Sequence, residues 1–308
     1  LGAEIRESRW SAFGRTDFVA SSDVYGIGIF YIDGTSGTRM YQFDGDFYSL
    51  MNTDFSLFPA HLPLALAARK RLDSVLTIGP GGGRDVLAAL MHGAIDITAV
   101  EVNRDLVSMM REYADVNGGI YNGIPWVDVK TVEGRNYVKT IGDQEFDSIL
   151  LAMPVIQSSR SIEGFALTEN YLLTTEAMDE YYDLLAPDGQ LIIVGHNVLE
   201  VYRVVSTAIE ILENRGLSSD LAMKQIYTFG PESMPTVVLR KNPITENEAA
   251  YLVESIRQSN WDSSVVFVPF VHHVSTPGSL PSLPTMNRSL YAISESGASF
   301  EDSFADFA

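Results

Sequence analysis

The stretch VLTIGPGGGRDVLAAL, residues 75–90, followed by ITAVEVN, residues 97–103, decides the fold. An apolar run (Val75, Leu76, Ile78) stops at a glycine cluster, Gly79, Gly81, Gly82 and Gly83, and an amphipathic segment opens with Arg84 and Asp85. A second apolar run ends in an acid, Glu101, 22 residues after Gly79. Strand, tight turn, helix and strand in this order form the first half of a nucleotide-binding βαβ unit. Glycines let the chain turn sharply and let a ligand approach the backbone. A carboxylate at the tip of the second strand can accept both hydroxyls of a ribose. The plainer reading is a glycine-rich turn in an α/β protein without a ligand, and the spacing of Glu101 favours the nucleotide site over it.

The glycine pattern also bears on which nucleotide is bound. Dinucleotide folds hold a pyrophosphate at the helix N-terminus. Here Pro80 interrupts the turn, and G-P-G-G-G-R-D does not keep the G-x-G-x-x-G spacing. The turn resembles that of class I S-adenosylmethionine-dependent transferases, in which it packs under the amino-acid part of the cofactor. That ligand has a ribose and an adenine but no phosphate. A nicotinamide-dependent oxidoreductase is therefore the weaker reading.

Outward from this unit, the chain alternates strand and helix from Asp73 onward. SVLTIG, ITAVEV, VDVKTVEG, FDSILLAM and GQLIIVG read as strands, and DVLAALMHG, RDLVSMMREYADV, RNYVKTIG and TTEAMDEYYDLLAPDG as the helices between them. Such alternation predicts a doubly wound, mostly parallel Rossmann-like sheet with helices on both faces. Ahead of it, FGRTDFVAS, YGIGIFYIDG and TRMYQF predict a small antiparallel β element within residues 10–48, with Asp33-Gly34 as a turn. LPLALAARK, residues 62–70, reads as a helix. After Asn197 the pattern predicts a long helix to about residue 215, antiparallel strands KQIYTFG and TVVLRKN, a helix over 246–258 and a strand SSVVFVPFV. The expected domains are an N-terminal β element over 1–58, a nucleotide-binding domain over 59–245 and a C-terminal extension over 246–308.

Bulk properties narrow the partners. The 308 residues carry a net charge of −19, a surface that repels phosphate backbones, so neither nucleic acid nor an anionic membrane is expected. An acidic field favours a cationic substrate. The absence of cysteine excludes disulfides, thiolate zinc sites and a cysteine nucleophile. No apolar run approaches the ~18–20 residues needed to span a bilayer. A cytoplasmic protein is expected, or a soluble domain cut from a longer one, since the chain starts at Leu1. A homodimer is left open.

Several segments together resemble the spermidine synthase (aminopropyltransferase) family, within the class I methyltransferase fold, over roughly residues 25–215. YGIGIFYIDG and FDGDFYSLM are similar to its N-terminal hairpin, with Asp44 and Tyr48 matching a D-x-x-x-Y pattern. IGPGGGRD matches the cofactor loop in part, Glu101 matches the ribose-binding acid, and VEGRNYV resembles the D-G-R-x-F segment, which places Glu133 beside the adenine. YYDLLAPDGQLII resembles the region after the acceptor site. The resemblance implies S-adenosylmethionine or its decarboxylated form as donor, with Gly79, Gly81, Gly82, Glu101, Val102, Glu133, Gly134 and Met153 as cofactor-binding residues.

The chain departs from the family where the reaction occurs. The family has an aspartate directly after its FDVIIV strand and another before a proline, whereas FDSILLAMPVIQSS places Ala152 and Met153-Pro154 in that segment. In aminopropyl transfer that aspartate helps take the proton from the attacking amine. The family's Y-H-E is Tyr48-Ser49-Leu50 here. The expected function is accordingly a spermidine synthase-like transferase without that aspartate, acting on a small-molecule acceptor such as a cationic amine. The alternative is a non-catalytic nucleoside-binding sensor or scaffold domain.

Tyr48, Glu169 and Tyr171 are the candidate catalytic residues, with Glu169 as first choice for holding an acceptor amine. Thr168 and Asn170 add polar groups, although Thr174 or Thr175 with Glu176 equally suits a helix cap. Gln157, Ser158, Ser159 and Arg160 occupy the place of the lost aspartate without supplying a base. His196-Asn197 ends the fifth strand, where a histidine could face a pocket. His272-His273 would point to opposite sides of a strand, so no metal is expected.

Overall fold

The computed structural model describes residues 4–11, 14–20, 28–34, 36–154, 171–259, 266–271 and 294. Two compact units divide the chain: Leu1–Gln144 with Ile149–Leu172, and Glu145–Ser148 with Leu173–Ala308.

The first unit opens with four strands, β1 (Glu4–Ser11), β2 (Gly14–Ala20), β3 (Gly28–Ile32) and β4 (Ser36–Met40), which pair antiparallel in chain order. The sheet is larger than the sequence suggested, because β1 lies ahead of residue 10. Its EIRESRWS has few apolar residues and is mostly exposed, so it lacks the hydrophobic alternation that marks a half-buried strand. Helices α1 (Phe47–Met51) and α2 (His61–Ala68) follow. The βαβ core then appears as expected: β5 (Ser74–Ile78), α3 (Arg84–Met91), β6 (Asp96–Val100), α4 (Arg104–Glu112), α5 (Ala114–Asn117), β7 (Val127–Lys130), α6 (Gly134–Thr140) and β8 (Phe146–Ala152). β5 pairs parallel with β6, and β6 with β7. α3 packs on β5 and β6. Val75, Leu76, Ile97 and Ala99 are fully buried, as a strand covered on both faces requires.

The second unit contains α7 (Thr175–Asp183), β9 (Leu185–Val194), α8 (Val198–Asn214), α9 (Ser219–Ala222), β10 (Ile226–Phe229), β11 (Thr236–Arg240) and α10 (Glu246–Gln258). β9 pairs antiparallel with β11, and β11 with β10. α7 packs on β9, and α8 on β10 and β11. The expected helix over residues 174–189 is shorter, ending at Asp183, and β9 begins earlier than GQLIIVG. β9 runs through Pro187-Asp188-Gly189. A Cβ at Gly189 would lie 2.8 Å from the carbonyl oxygen of Phe146 and 2.9 Å from the backbone of Ala186. The predicted strand SSVVFVPFV is reduced, among the described residues, to a single antiparallel bridge between Phe267 and Thr228.

The strands from β5 onward form one mixed sheet in the order β10-β11-β9-β8-β5-β6-β7. The order reverses direction about β5, the switch point at whose carboxyl side doubly wound folds bind ligands. Among the described residues no helix is long and apolar enough to cross a membrane.

Candidate functional site

The glycine turn between β5 and α3 is built from backbone conformations that side chains resist. Gly79, Gly81 and Gly83 have φ of 73°, 53° and 90°. Pro80 accepts a bond through its carbonyl from the Gly83 N–H at 2.9 Å, which closes the turn. The Gly79 N–H donates to the Val100 carbonyl at 2.8 Å, tying the turn to the end of β6.

Glu101 stands one residue beyond β6 and is buried, 6 % exposed. Its carboxylate accepts from the Gly81 N–H at 3.1 Å and from the Asn103 N–H at 2.9 Å. Burial pushes its carboxyl above the usual carboxylate range, and the N–H groups of Asn103, Gly81 and Val102 counter that rise. Val102, the next residue, is half-buried. Asn103 caps α4 through its side-chain oxygen and donates from Nδ2 to Thr16 Oγ1 at 2.9 Å, so this corner is anchored to β2.

The glycines differ in what they accommodate. A Cβ at Gly82 would lie 2.1 Å from the Arg39 carbonyl oxygen, and one at Gly81 would lie 2.6 Å from Thr38 Oγ1. The Gly82 N–H donates to that Thr38 hydroxyl at 2.9 Å, and Tyr121 donates its phenol to the Gly81 carbonyl at 2.6 Å. Gly81 and Gly82 are therefore explained by the close packing of β4. Among the described residues nothing lies within 4 Å of the Gly79 Cβ position, which leaves open space at the turn. Nothing in TRMYQF beyond a strand pattern announced the Thr38–Arg39 contact, because it depends on the approach of a distant strand.

The other expected cofactor residues also sit in the first unit. Glu133 is the N-cap of α6, its carboxylate accepting from the Arg135 N–H at 3.0 Å and the Asn136 N–H at 2.8 Å. Gly134 is buried against β5, where a Cβ would meet Ile78 Cγ2 at 2.5 Å. Met153, just past β8, has φ of 51°, a left-handed conformation uncommon for a residue with a side chain. Strain of this kind collects at ligand sites.

Tyr48 is the second residue of α1 and Tyr171 begins a short 3-10 turn, and they are 77 % and 52 % exposed. Exposed phenols can offer an aromatic face to a cation. Glu169, together with Thr168, Asn170, residues 157–160 and the pair His272-His273, lies outside the described residues. The capping expectation is met at Thr174, whose hydroxyl accepts from the Ala177 N–H at 3.2 Å. Among the described residues no group of three or more His, Asp or Glu could hold a metal. In the second unit, His196 follows β9 and is held by Glu200, whose Oε2 lies 2.7 Å from the His196 N–H and 3.2 Å from Nδ1.

No family model matches the chain, and no curated protein matches it in sequence. Solved structures do match in fold. A spermidine synthase in complex with the transition-state analogue AdoDATO is 19% identical, with 83% of this chain and 78% of that chain covered at a TM-score of 0.54. A spermidine synthase from Thermotoga maritima is also 19% identical, with 79% and 75% covered and a TM-score of 0.54. A probable spermidine synthase from Corynebacterium glutamicum is 13% identical, with 90% and 100% covered and a TM-score of 0.56. The chain therefore has the fold of the spermidine synthases.

Proposed function

We propose that this protein is a transferase that binds S-adenosylmethionine, or its decarboxylated form, at the glycine turn and passes a group to a small cationic amine. The observation that carries this reading is Glu101, a buried carboxylate at the carboxyl end of β6 hydrogen-bonded to the turn itself. A carboxylate has about four acceptor positions, so two backbone bonds leave capacity for the two hydroxyls of a ribose. The open space at Gly79 suits a ligand close to the backbone, and the lack of a dinucleotide glycine pattern suits one without phosphate. Glu101 would hold the ribose, Glu133 and Gly134 would flank the adenine, and Val102 and Met153 would complete the pocket. When bound, the donor supplies an electrophilic carbon attached to a sulfonium. The chain's own contribution is alignment, and alignment supplies much of the rate enhancement in such transfers. Tyr48, Tyr171 and Glu169 are our candidates for the acceptor side.

Calorimetric titration with S-adenosylmethionine, methylthioadenosine and NAD tests the reading. Binding of the adenosyl ligands is expected, and NAD binding without any response to adenosyl ligands would overturn it.

A second reading, a nucleoside-binding sensor or scaffold, is favoured by Ala152, which stands where the family resemblance calls for an acid. It keeps the ligand site and dispenses with turnover.

A further inference from the structure

Asp85, in the first turn of α3, is 2 % exposed, and its Oδ2 is buried without a hydrogen-bond partner among the described residues. Its other oxygen lies 3.9 Å from Arg84 Nε, beyond hydrogen-bond reach, and the Arg84 guanidinium is engaged over the Phe58 ring at 4.0 Å. The groups acting on Asp85 from around it are Arg84 on its own helix, Glu101 at the end of β6, and the Tyr121 phenol, which both carboxylates affect. Glu101 and Tyr121 are each hydrogen-bonded to Gly81, so all three acidic groups belong to one locus at the glycine turn. A buried carboxylate without a partner must be protonated or must meet a donor that the protein does not supply. The second carboxylate makes the need greater, since two buried like charges raise each other's cost. Open space at Gly79 in the same turn gives a ligand room to approach.

We propose that Asp85 is the anionic partner of a positively charged ligand bound at the glycine turn, and that it gives up its proton when that ligand binds. The inference rests on the nucleoside-binding reading of the turn and narrows the ligand to the cationic members of that class. Burial pushes the Asp85 carboxyl up to about 7, with Arg84 opposing and Glu101 reinforcing the rise. Near neutral pH the free protein then carries a proton at this site in part of its molecules, and a bound cation favours the charged form.

The test is isothermal calorimetry of the full chain at pH 7 in phosphate and in Tris, two buffers of different ionisation enthalpy. The probes are S-adenosylmethionine, decarboxylated S-adenosylmethionine and the uncharged thioether methylthioadenosine. For the two sulfonium ligands the binding heat should differ between buffers, in the sense of a proton released on binding. Methylthioadenosine should show no such difference. Asp85→Asn should abolish the buffer dependence and weaken sulfonium binding by about tenfold or more, while methylthioadenosine stays within about twofold. Retention of the buffer dependence in that variant would move the proton to Glu101 and overturn the assignment. Equal heats in both buffers with the native protein would overturn it without any variant, leaving Asp85 as a structural acid served by a buried water. Binding of none of the three ligands would overturn the nucleoside reading itself, and the assignment with it.

Discussion

At the scale of single residues, Gly82 and Glu101 separate packing from binding. Glu101→Ala removes a charge-assisted acceptor and should weaken an adenosyl ligand by ~1–3 kcal/mol, read by calorimetry. Because the same carboxylate accepts from Gly81 and Asn103, this variant should also lose some thermal stability. Gly82→Ala should act the other way round. Its Cβ would collide with the Arg39 backbone, which cannot rotate aside as a side chain can, so a loss of about 1–3 kcal/mol of stability is expected from chemical denaturation. Unchanged stability in Gly82→Ala would mean that β4 does not press on the turn in solution.

At the scale of elements, α2 and the C-cap of α3 are joined by a pair of histidines, His61 buried and His92 half-buried. His61 Nδ1 lies 3.1 Å from His92 Nε2, and His61 Nε2 meets the Phe55 carbonyl at 2.9 Å. If His61 donates from Nε2 to that carbonyl, its Nδ1 accepts and His92 donates, which requires the His61 ring to be neutral. Burial lowers both from 6.5 to about 4, and for His61 the neighbouring His92 adds to the fall. The unfolded chain takes up these protons below about 6.5, whereas the folded protein resists them until about 4. The pair's stabilising contribution is therefore present above pH 6.5 and is lost as pH falls from about 6.5 towards 4, worth a few kcal/mol for the two rings on the order of 1.4 per pKa unit. Denaturation midpoints should decline over that window, and in His92→Phe the decline should be shallower. A second element-scale expectation concerns α10, whose Thr245 and Glu248 form a reciprocal capping box. Thr245→Ala should cost about 1 kcal/mol, measured by denaturation, because the Glu248 N–H loses its acceptor.

At the scale of the whole molecule, the net charge of −19 and the missing acid at Ala152 pull in different directions. An acidic surface raises the local concentration of cationic ligands, so an amine should encounter the protein readily, with a rate that falls as salt rises. Encounter does not supply a base. An attacking amine must be neutral, and nothing at Ala152 can take its proton. Little or no conversion of putrescine to spermidine with decarboxylated S-adenosylmethionine is therefore expected from the purified chain. Turnover at ~1 s⁻¹ or above would show that the proton is handled elsewhere in the protein.

The fold was legible in residues 75–103 and in the alternation that follows, because local chemistry dictates it. Apolar runs of strand length, glycines able to take positive φ and an acid at the correct distance are properties of neighbouring residues. The same holds for Thr174, which caps the helix it precedes. β1 escaped notice because its half-buried positions, Glu7, Arg9 and Ser11, are polar, so it carries no apolar alternation. Tertiary structure alone decided what the glycines and acids touch. Thr38 and Arg39 reach Gly81 and Gly82 from more than forty residues away, an approach that gives both glycines a packing role. Asp85 read as an ordinary first-turn acid of a helix, and Asp85 and Glu101 acquire their shared electrostatic environment only when α3 folds back over β5 and β6. Sequence spacing sets which groups a chain can present. Burial, which belongs to the folded molecule, sets which of them must find a partner.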